Sequence, residues 1–195
     1  MFEYLAELYN KALLASENKE VFSYQVIISL SYLLALILSM LRALKDNELF
    51  SDFLTIAVVV TKYMVTTLLM EYALTYIQDN HAVDNVQNVY LGLSATSLFS
   101  MYVLSKLHEK FSYKFGLLFF CVIKLTVVLS LAHFILWFKF VVLDIQAEHA
   151  YIHYIYSFIV LYISFTLAIV MLFPGLLKTK LKLLLSPSWP FHTKI

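Results

Sequence analysis

Five apolar runs, each about as long as a bilayer crossing, dominate this chain of 195 residues. A spanning α-helix needs about 20 predominantly apolar residues, and its backbone polar groups must bond to one another because lipid offers no partners. The runs predict transmembrane helices near residues 21–41, 53–77, 89–107, 115–143 and 151–173. We therefore predict an all-α integral membrane protein, a bundle of about five helices that forms one membrane domain over residues 1–195.

Composition supports this class and argues against several others. The chain is 62% hydrophobic and 14% charged, whereas soluble domains average about 45–50% and about 25%. It has no GxSxG elbow, P-loop or GxGxxG pattern, so we expect no enzymatic activity and no cofactor. Long basic stretches are missing outside the C-terminal tail, which argues against direct nucleic-acid binding.

Two segments flank the predicted spans. Residues 1–18 place apolar and polar side chains on different sides of a helix, which predicts an amphipathic helix on the membrane surface. Residues 176–195 mix leucine with lysine and end near Trp189, which predicts a basic interfacial tail.

Lysine and arginine in the short connections predict the orientation. Nine fall in the first and third connections and the tail: Arg42, Lys45, Lys106, Lys110, Lys114, Lys178, Lys180, Lys182 and Lys194. Only Lys11, Lys19 and Lys139 fall on the other side. Because positive residues stay in the cytoplasm, we expect a bacterial-type inner-membrane protein with its N-terminus outside and its C-terminus in the cytoplasm.

The same basic side offers a docking surface for an acidic cytoplasmic protein or for anionic lipid. The residues that we expect to form it are Lys106, Lys110, Lys114, Lys178, Lys180 and Lys182. Their neighbours His108 and Glu109 fall in the predicted third connection and are interpreted as ordinary surface residues.

Ionisable residues inside the spans are the main candidates for function. Lys62 and Lys124 lie within the second and fourth runs, where a charge costs roughly 3 kcal/mol. Each is followed nine residues later by another ionisable residue, Glu71 or His133. Nine residues rotate a helix by about half a turn, so neither pair shares a face. Any partner of these lysines must come from another helix, another subunit, lipid or water.

Two interpretations of the lysines remain open. They can extend toward the cytoplasmic headgroups, or they can line a hydrated, anion-favouring path that continues through Thr55 and Thr66. Glu71 and His133 are likewise either interfacial residues or members of a proton relay.

Small residues at four-residue intervals predict close helix packing. They are Ser31, Ala35 and Ser39 in the first run and Gly92, Thr96 and Ser100 in the third. When the sequence is aligned with itself at an offset of 62 residues, the first two apolar runs match the next two, and Lys62 aligns with Lys124. Duplication and chance similarity both explain this weak repeat.

His149 and His153 are four residues apart and are weak candidates for a metal site. No third ligand is dictated, so we predict solvated loop residues and no metal.

Two function hypotheses follow. The first is a non-enzymatic membrane subunit that forms homo-oligomers or anchors or signals to a partner protein, as a sensor, anchor or immunity-type component would. The second is a small oligomeric channel or transporter with an anion-favouring path lined by Lys62 and Lys124.

Overall fold

The computed structural model describes residues 24–45, 49–80, 87–111, 115–145 and 150–179. Regular structure in these ranges is helical, and they contain no strand. The main helices are α1 (Tyr24–Leu44), α2 (Phe50–Asn80), α3 (Asn88–Phe111), α4 (Leu117–Trp137) and α5 (Ala150–Leu172). A π-helical segment, Phe138–Val142, extends α4, and a 3₁₀ turn, Pro174–Lys178, follows α5.

Four of these helices are long and apolar enough to cross a membrane: Val26–Leu44, Phe50–Met70, Leu117–Val142 and Tyr154–Leu172. The predicted all-α class is confirmed for the described residues, and the four apolar helices are consistent with an integral membrane protein. Helix α3 is the exception: its apolar stretch contains several serines and a threonine, and its last turns carry Lys106, His108, Glu109 and Lys110. Its 24 residues still give it a length of about 36 Å.

Contacts at both ends of α3 define the course of the chain. The Gly116 amide, just before α4, donates to Ser51 Oγ at the start of α2, at 2.9 Å. At the other end, Trp137 Nε1 of α4 donates to Asn88 Oδ1 of α3, at 3.3 Å. Helices α2 and α4 are therefore parallel, and α3 runs back between them over their full depth.

Helices α1 and α5 pack side by side in the same direction. The Tyr32 hydroxyl of α1 donates to the Ser164 carbonyl of α5 at 3.1 Å. Near the C-terminal ends of both helices, Arg42 donates to the carbonyls of Leu172 and Met171, at 3.2 and 3.4 Å. The C-termini of α1, α3 and α5 thus lie at one end of the bundle, with the N-termini of α2 and α4.

Apolar side chains fill the centre of the bundle and also cover its outside. Leu104, Leu118, Leu125 and Met171 are at most 2% exposed, and they join α3, α4 and α5 in one core. Many other large apolar side chains are exposed on the outer surface, such as Leu30, Leu68 and Phe165. An apolar exterior is what a bilayer requires of a helical bundle.

The helix bounds differ from the predicted runs in ways that the sequence explains. Helix α4 gives way at Phe138 to a π-helical turn, in which the Leu143 amide bonds to the Phe138 carbonyl at 3.0 Å. Asp144 ends the segment in the left-handed region, with φ of 50°, a conformation that aspartate tolerates. The predicted amphipathic helix at 1–18 and tail residues 180–195 lie outside the described residues.

Candidate functional site: a polar seam between α2, α3 and α4

Buried polar side chains, together with half-buried Lys62, run along the interfaces of α2, α3 and α4 from one end of the bundle to the other. We call this set the polar seam. From the Gly116 end, its members are Ser51, Thr55, His108, Lys62, Ser97, Thr126, Ser94, Ser130 and His133.

His108 begins the seam, and the prediction that it is a surface residue is wrong. It is 0% exposed, because α3 continues to Phe111 and turns this side chain inward, one helical turn beyond buried Leu104. Its ring packs against Phe115 and Phe119, with ring centroids 5.7 and 4.5 Å apart. Glu109, by contrast, is exposed and pairs with Lys106 at 2.7 Å.

A chain of hydrogen bonds joins three helix ends through His108. Both ring nitrogens lie near carbonyl oxygens, which only accept: Nδ1 is 2.9 Å from that of Leu104 and Nε2 is 3.2 Å from that of Ser51. The shorter contact assigns the proton of the neutral ring to Nδ1. Nε2 then accepts from the Ser51 hydroxyl at 3.0 Å. Ser51 Oγ in turn accepts from the Gly116 amide. The beginnings of α2 and α4 are thus tied to the end of α3.

Gly116 lies in close contact with the side chains of Asp52 and Ser51, so a larger residue here would require the Asp52 carboxylate to move. A Cβ at this position would collide with the Asp52 carboxylate and lie 3.3 Å from Ser51 Oγ. Its φ of −72° is ordinary, so the requirement comes from close approach and not from backbone conformation.

The Ser51–His108 pair has the spacing of a nucleophile and its base. Ser51 is only 1% exposed and His108 is fully buried, and Ser51 Oγ already accepts from Gly116. The geometry therefore supports a structural tie between helix ends and gives no access for a substrate.

The threonines that sequence analysis associated with Lys62 bond elsewhere. Thr55 is fully buried and donates to the Ser51 carbonyl at 2.7 Å, with His108 Nε2 3.4 Å away. Thr66 donates to the Tyr63 carbonyl of its own helix at 2.9 Å.

Lys62 lies on the face of α2 that packs against α3. Thr55, seven residues earlier, contacts His108 of α3. Leu69, seven residues later, would be 3.3 Å from a Cβ added at Gly92 of α3. Residues seven apart share a helix face, so half-buried Lys62 lies between these two contacts. The antiparallel register puts it opposite Ser100 of α3.

Lys124 lies on a different side of the bundle. Three residues on the same face of α4 are exposed. They are Leu117 (seven residues before Lys124, 44% exposed), Phe120 (four before, 41%) and Leu131 (seven after, 51%). These spacings place Lys124 on the outward face of α4, where it is half-buried. The two lysines that the 62-residue offset superimposes therefore face inward and outward, respectively.

Both lysines lie far along their helices from the end of the bundle where Ser51 and Gly116 meet. Lys62 is eleven residues beyond Ser51, which is about 16 Å along α2. Lys124 is eight residues beyond Gly116, which is about 12 Å along α4. Since Ser51 and Gly116 are in contact, the lysines differ in depth by about one helical turn.

The predicted small-residue stripes lie at helix interfaces to different degrees. In α1, Ala35 and Ser39 are 0% exposed, and Ser31 is half-buried and bonds within its helix to the Ile27 carbonyl. In α3, Gly92, Thr96 and Ser100 are half-buried. A direct polar contact of α3 with α4 uses Ser94 instead, whose hydroxyl lies 3.0 Å from that of Ser130.

His133 belongs to the far part of the seam and is 6% exposed. Its Nδ1 donates to the Leu129 carbonyl at 2.6 Å, and its ring meets Tyr156 of α5 edge-on at 5.6 Å.

The remaining predicted site residues contribute less. The side chains of Glu71 and His153, and all of His149, lie outside the described part of the structure. Within the described part, no three His, Cys, Asp or Glu residues are grouped so that they could hold a metal ion. Of the predicted docking residues, Lys106, Lys110 and Lys178 are exposed at the Gly116 end. Lys114, Lys180 and Lys182 are outside the described ranges.

The chain matches no protein family, no curated protein and no solved structure. Function must therefore be argued from the seam and from the outward lysine.

Proposed function

We propose that the protein is a non-enzymatic integral membrane subunit with five transmembrane helices that works in an assembly, as a homo-oligomer or with a partner protein. The fifth span is α3: it runs between α2 and α4, whose matching ends meet at Ser51 and Gly116. Polar groups that would be costly in lipid lie on its buried side, as His108, Ser94 and Ser97 do.

Lys124 is the observation that carries this proposal. It projects from an apolar outer face, and no described residue forms a hydrogen bond or ion pair with it. Its depth of about 12 Å exceeds the reach of a lysine stem, about 6 Å. An uncompensated charge there costs roughly 3 kcal/mol, and a partner from a neighbouring subunit that contributes a carboxylate or carbonyl oxygens would offset that cost.

Lys124→Leu should weaken the assembly about tenfold, equivalent to about 1.4 kcal/mol. The assembly can be measured in membranes by replacing Leu131, on the same face as Lys124, with a photo-crosslinking amino acid. Leu33 on α1 is the matched control site, since the two leucines are 51% and 48% exposed. We expect an adduct from Leu131 that is lost with Lys124→Leu, and mass spectrometry distinguishes a second copy from another protein. No adduct at Leu131, or one that persists in the variant, would contradict the proposal.

The basic end of the bundle is proposed to face the cytoplasm of a bacterial-type cell, with the N-terminus outside. Arg42, Lys45, Lys106, Lys110 and Lys178 all lie at this end, and it is where we propose that an acidic protein or anionic lipid docks.

In a Cys121→Ser background, Lys110→Cys should react with an impermeant maleimide only after cells are opened. Asn88→Cys, exposed at the other end, should react in intact cells. The reverse pattern would refute the orientation.

A second candidate function, a small channel or transporter, is favoured by one observation: Lys62 lies on the face of α2 that packs against α3, between the contacts of Thr55 and Leu69 with that helix. Ionisable groups that face a bundle interior mark ion or proton pathways. The proposed path uses Lys62 and no longer Lys124, which faces outward.

Lys62→Met should therefore abolish anion flux in proteoliposomes, whereas Lys124→Met should leave the flux of correctly reconstituted protein unchanged. Both substitutions remove one positive charge and keep a long side chain. A halide-sensitive dye inside the vesicles reports the flux. Wild-type flux no greater than that of empty vesicles, or equal flux in the two variants, would exclude this function.

A further inference from the structure

Lys62 has no counter-charge among the described side chains. It lies about 16 Å from the Ser51 end, close to the middle of a hydrocarbon core about 30 Å thick. The described carboxylates, Asp52, Glu109 and Asp144, all lie near helix ends, and no described residue forms a hydrogen bond or ion pair with Lys62. An ammonium at this depth in a membrane is costly unless a negative partner compensates its charge.

A second polar group near this level also lacks a partner. The Ser97 hydroxyl is 1% exposed and forms no hydrogen bond with any described residue. It lies one turn of α3 from Ser100, whose hydroxyl bonds to the Ser97 carbonyl at 2.7 Å. Lys62 faces α3 at the level of Ser100, so an ammonium and a hydroxyl donor come to about the same depth of the seam.

We propose that Lys62 and Ser97 form an intramembrane site for a small monovalent anion such as chloride. The anion would compensate the ammonium and satisfy the Ser97 hydroxyl. Positive side chains in a membrane interior favour anions. The site deepens the second candidate function, which requires an anion at Lys62, but it lies within one protomer and does not depend on assembly through Lys124.

The single cysteine makes a direct binding test possible. Cys121 is 2% exposed, so a maleimide dye that fluoresces on reaction reports thermal unfolding of the protein in nanodiscs. Sodium chloride should raise the unfolding midpoint saturably relative to sodium gluconate at equal ionic strength, because a ligand that binds only the folded state stabilises it. Lys62→Met should abolish the chloride-dependent shift, Ser97→Ala should reduce it, and Lys124→Met should preserve it.

Each outcome has a defined meaning. A chloride effect that is missing in the wild type, or that survives Lys62→Met, overturns the proposal. If Lys62→Met does not fold, Ser97→Ala and Lys62→Arg decide instead: Ser97→Ala should lower chloride affinity and Lys62→Arg should retain binding. Chloride binding without flux would exclude a conduction path while leaving the site intact, whereas loss of crosslinking from Leu131 would concern only the assembly.

Discussion

His108→Ala should lower the free energy of unfolding by about 3 kcal/mol, which combines the loss of a buried ring with an unpaired buried hydroxyl. The ring fills the space between Phe115 and Phe119 and accepts from Ser51 at 3.0 Å. Without it, three helix ends lose their common contact. The expected fall in the unfolding midpoint is about 6–12 °C for a chain of this length.

The dye reaction of Cys121 during thermal unfolding measures the effect of His108→Ala. Glu109→Ala is the control next in sequence, because Glu109 is exposed, and it should leave the midpoint unchanged.

Two glycines give an independent test of the same contact. Gly116→Ala should cost about 1–3 kcal/mol through the collision with Asp52, while Gly175→Ala, with nothing within 4 Å, should be neutral. If His108→Ala is as stable as Glu109→Ala, the tie described here does not hold the helix ends together.

The existence and order of the helices could be predicted because bilayer crossing requires long apolar runs, and such runs are plain in a sequence. Helix α3 shows the limit of that signal. Its polar last turns resemble a connection, so His108 was assigned to the surface. A signal was present: Ser97, Met101, Leu104 and His108 recur at intervals of three or four residues, the spacing of one helix face.

The two lysines could be located but not oriented from sequence. In a soluble protein the polar face of a helix points outward, so periodicity reveals the core. In lipid both the core and the exterior are apolar, and the pattern around Lys62 resembles the pattern around Lys124. The structure distinguishes the two lysines by their neighbours. Lys62 faces inward because Thr55 and Leu69 on its face contact α3. Lys124 faces outward because Leu117, Phe120 and Leu131 on its face are exposed.

Arg42→Met should lower the free energy of unfolding by about 2 kcal/mol, because it removes charged hydrogen bonds to carbonyls that a helix end leaves unsatisfied. The guanidinium of α1 donates to Leu172 and Met171 at the C-terminus of α5, where a positive charge also complements the helix dipole. Methionine keeps the apolar stem and loses only the donors and the charge. The expected fall in midpoint is about 4–8 °C.

Lys45→Met is the matched control for Arg42→Met, because exposed Lys45 lies one turn further along the chain at the same end of the bundle. Both substitutions remove one positive charge from the basic end, so an effect on insertion or orientation would appear in both. Arg42→Lys separates charge from geometry: a single ammonium cannot reproduce the two-carbonyl contact of a planar guanidinium, so an intermediate midpoint is expected. Equal losses for Arg42→Met and Lys45→Met would mean that the charge at this end matters and that the contact between α1 and α5 does not.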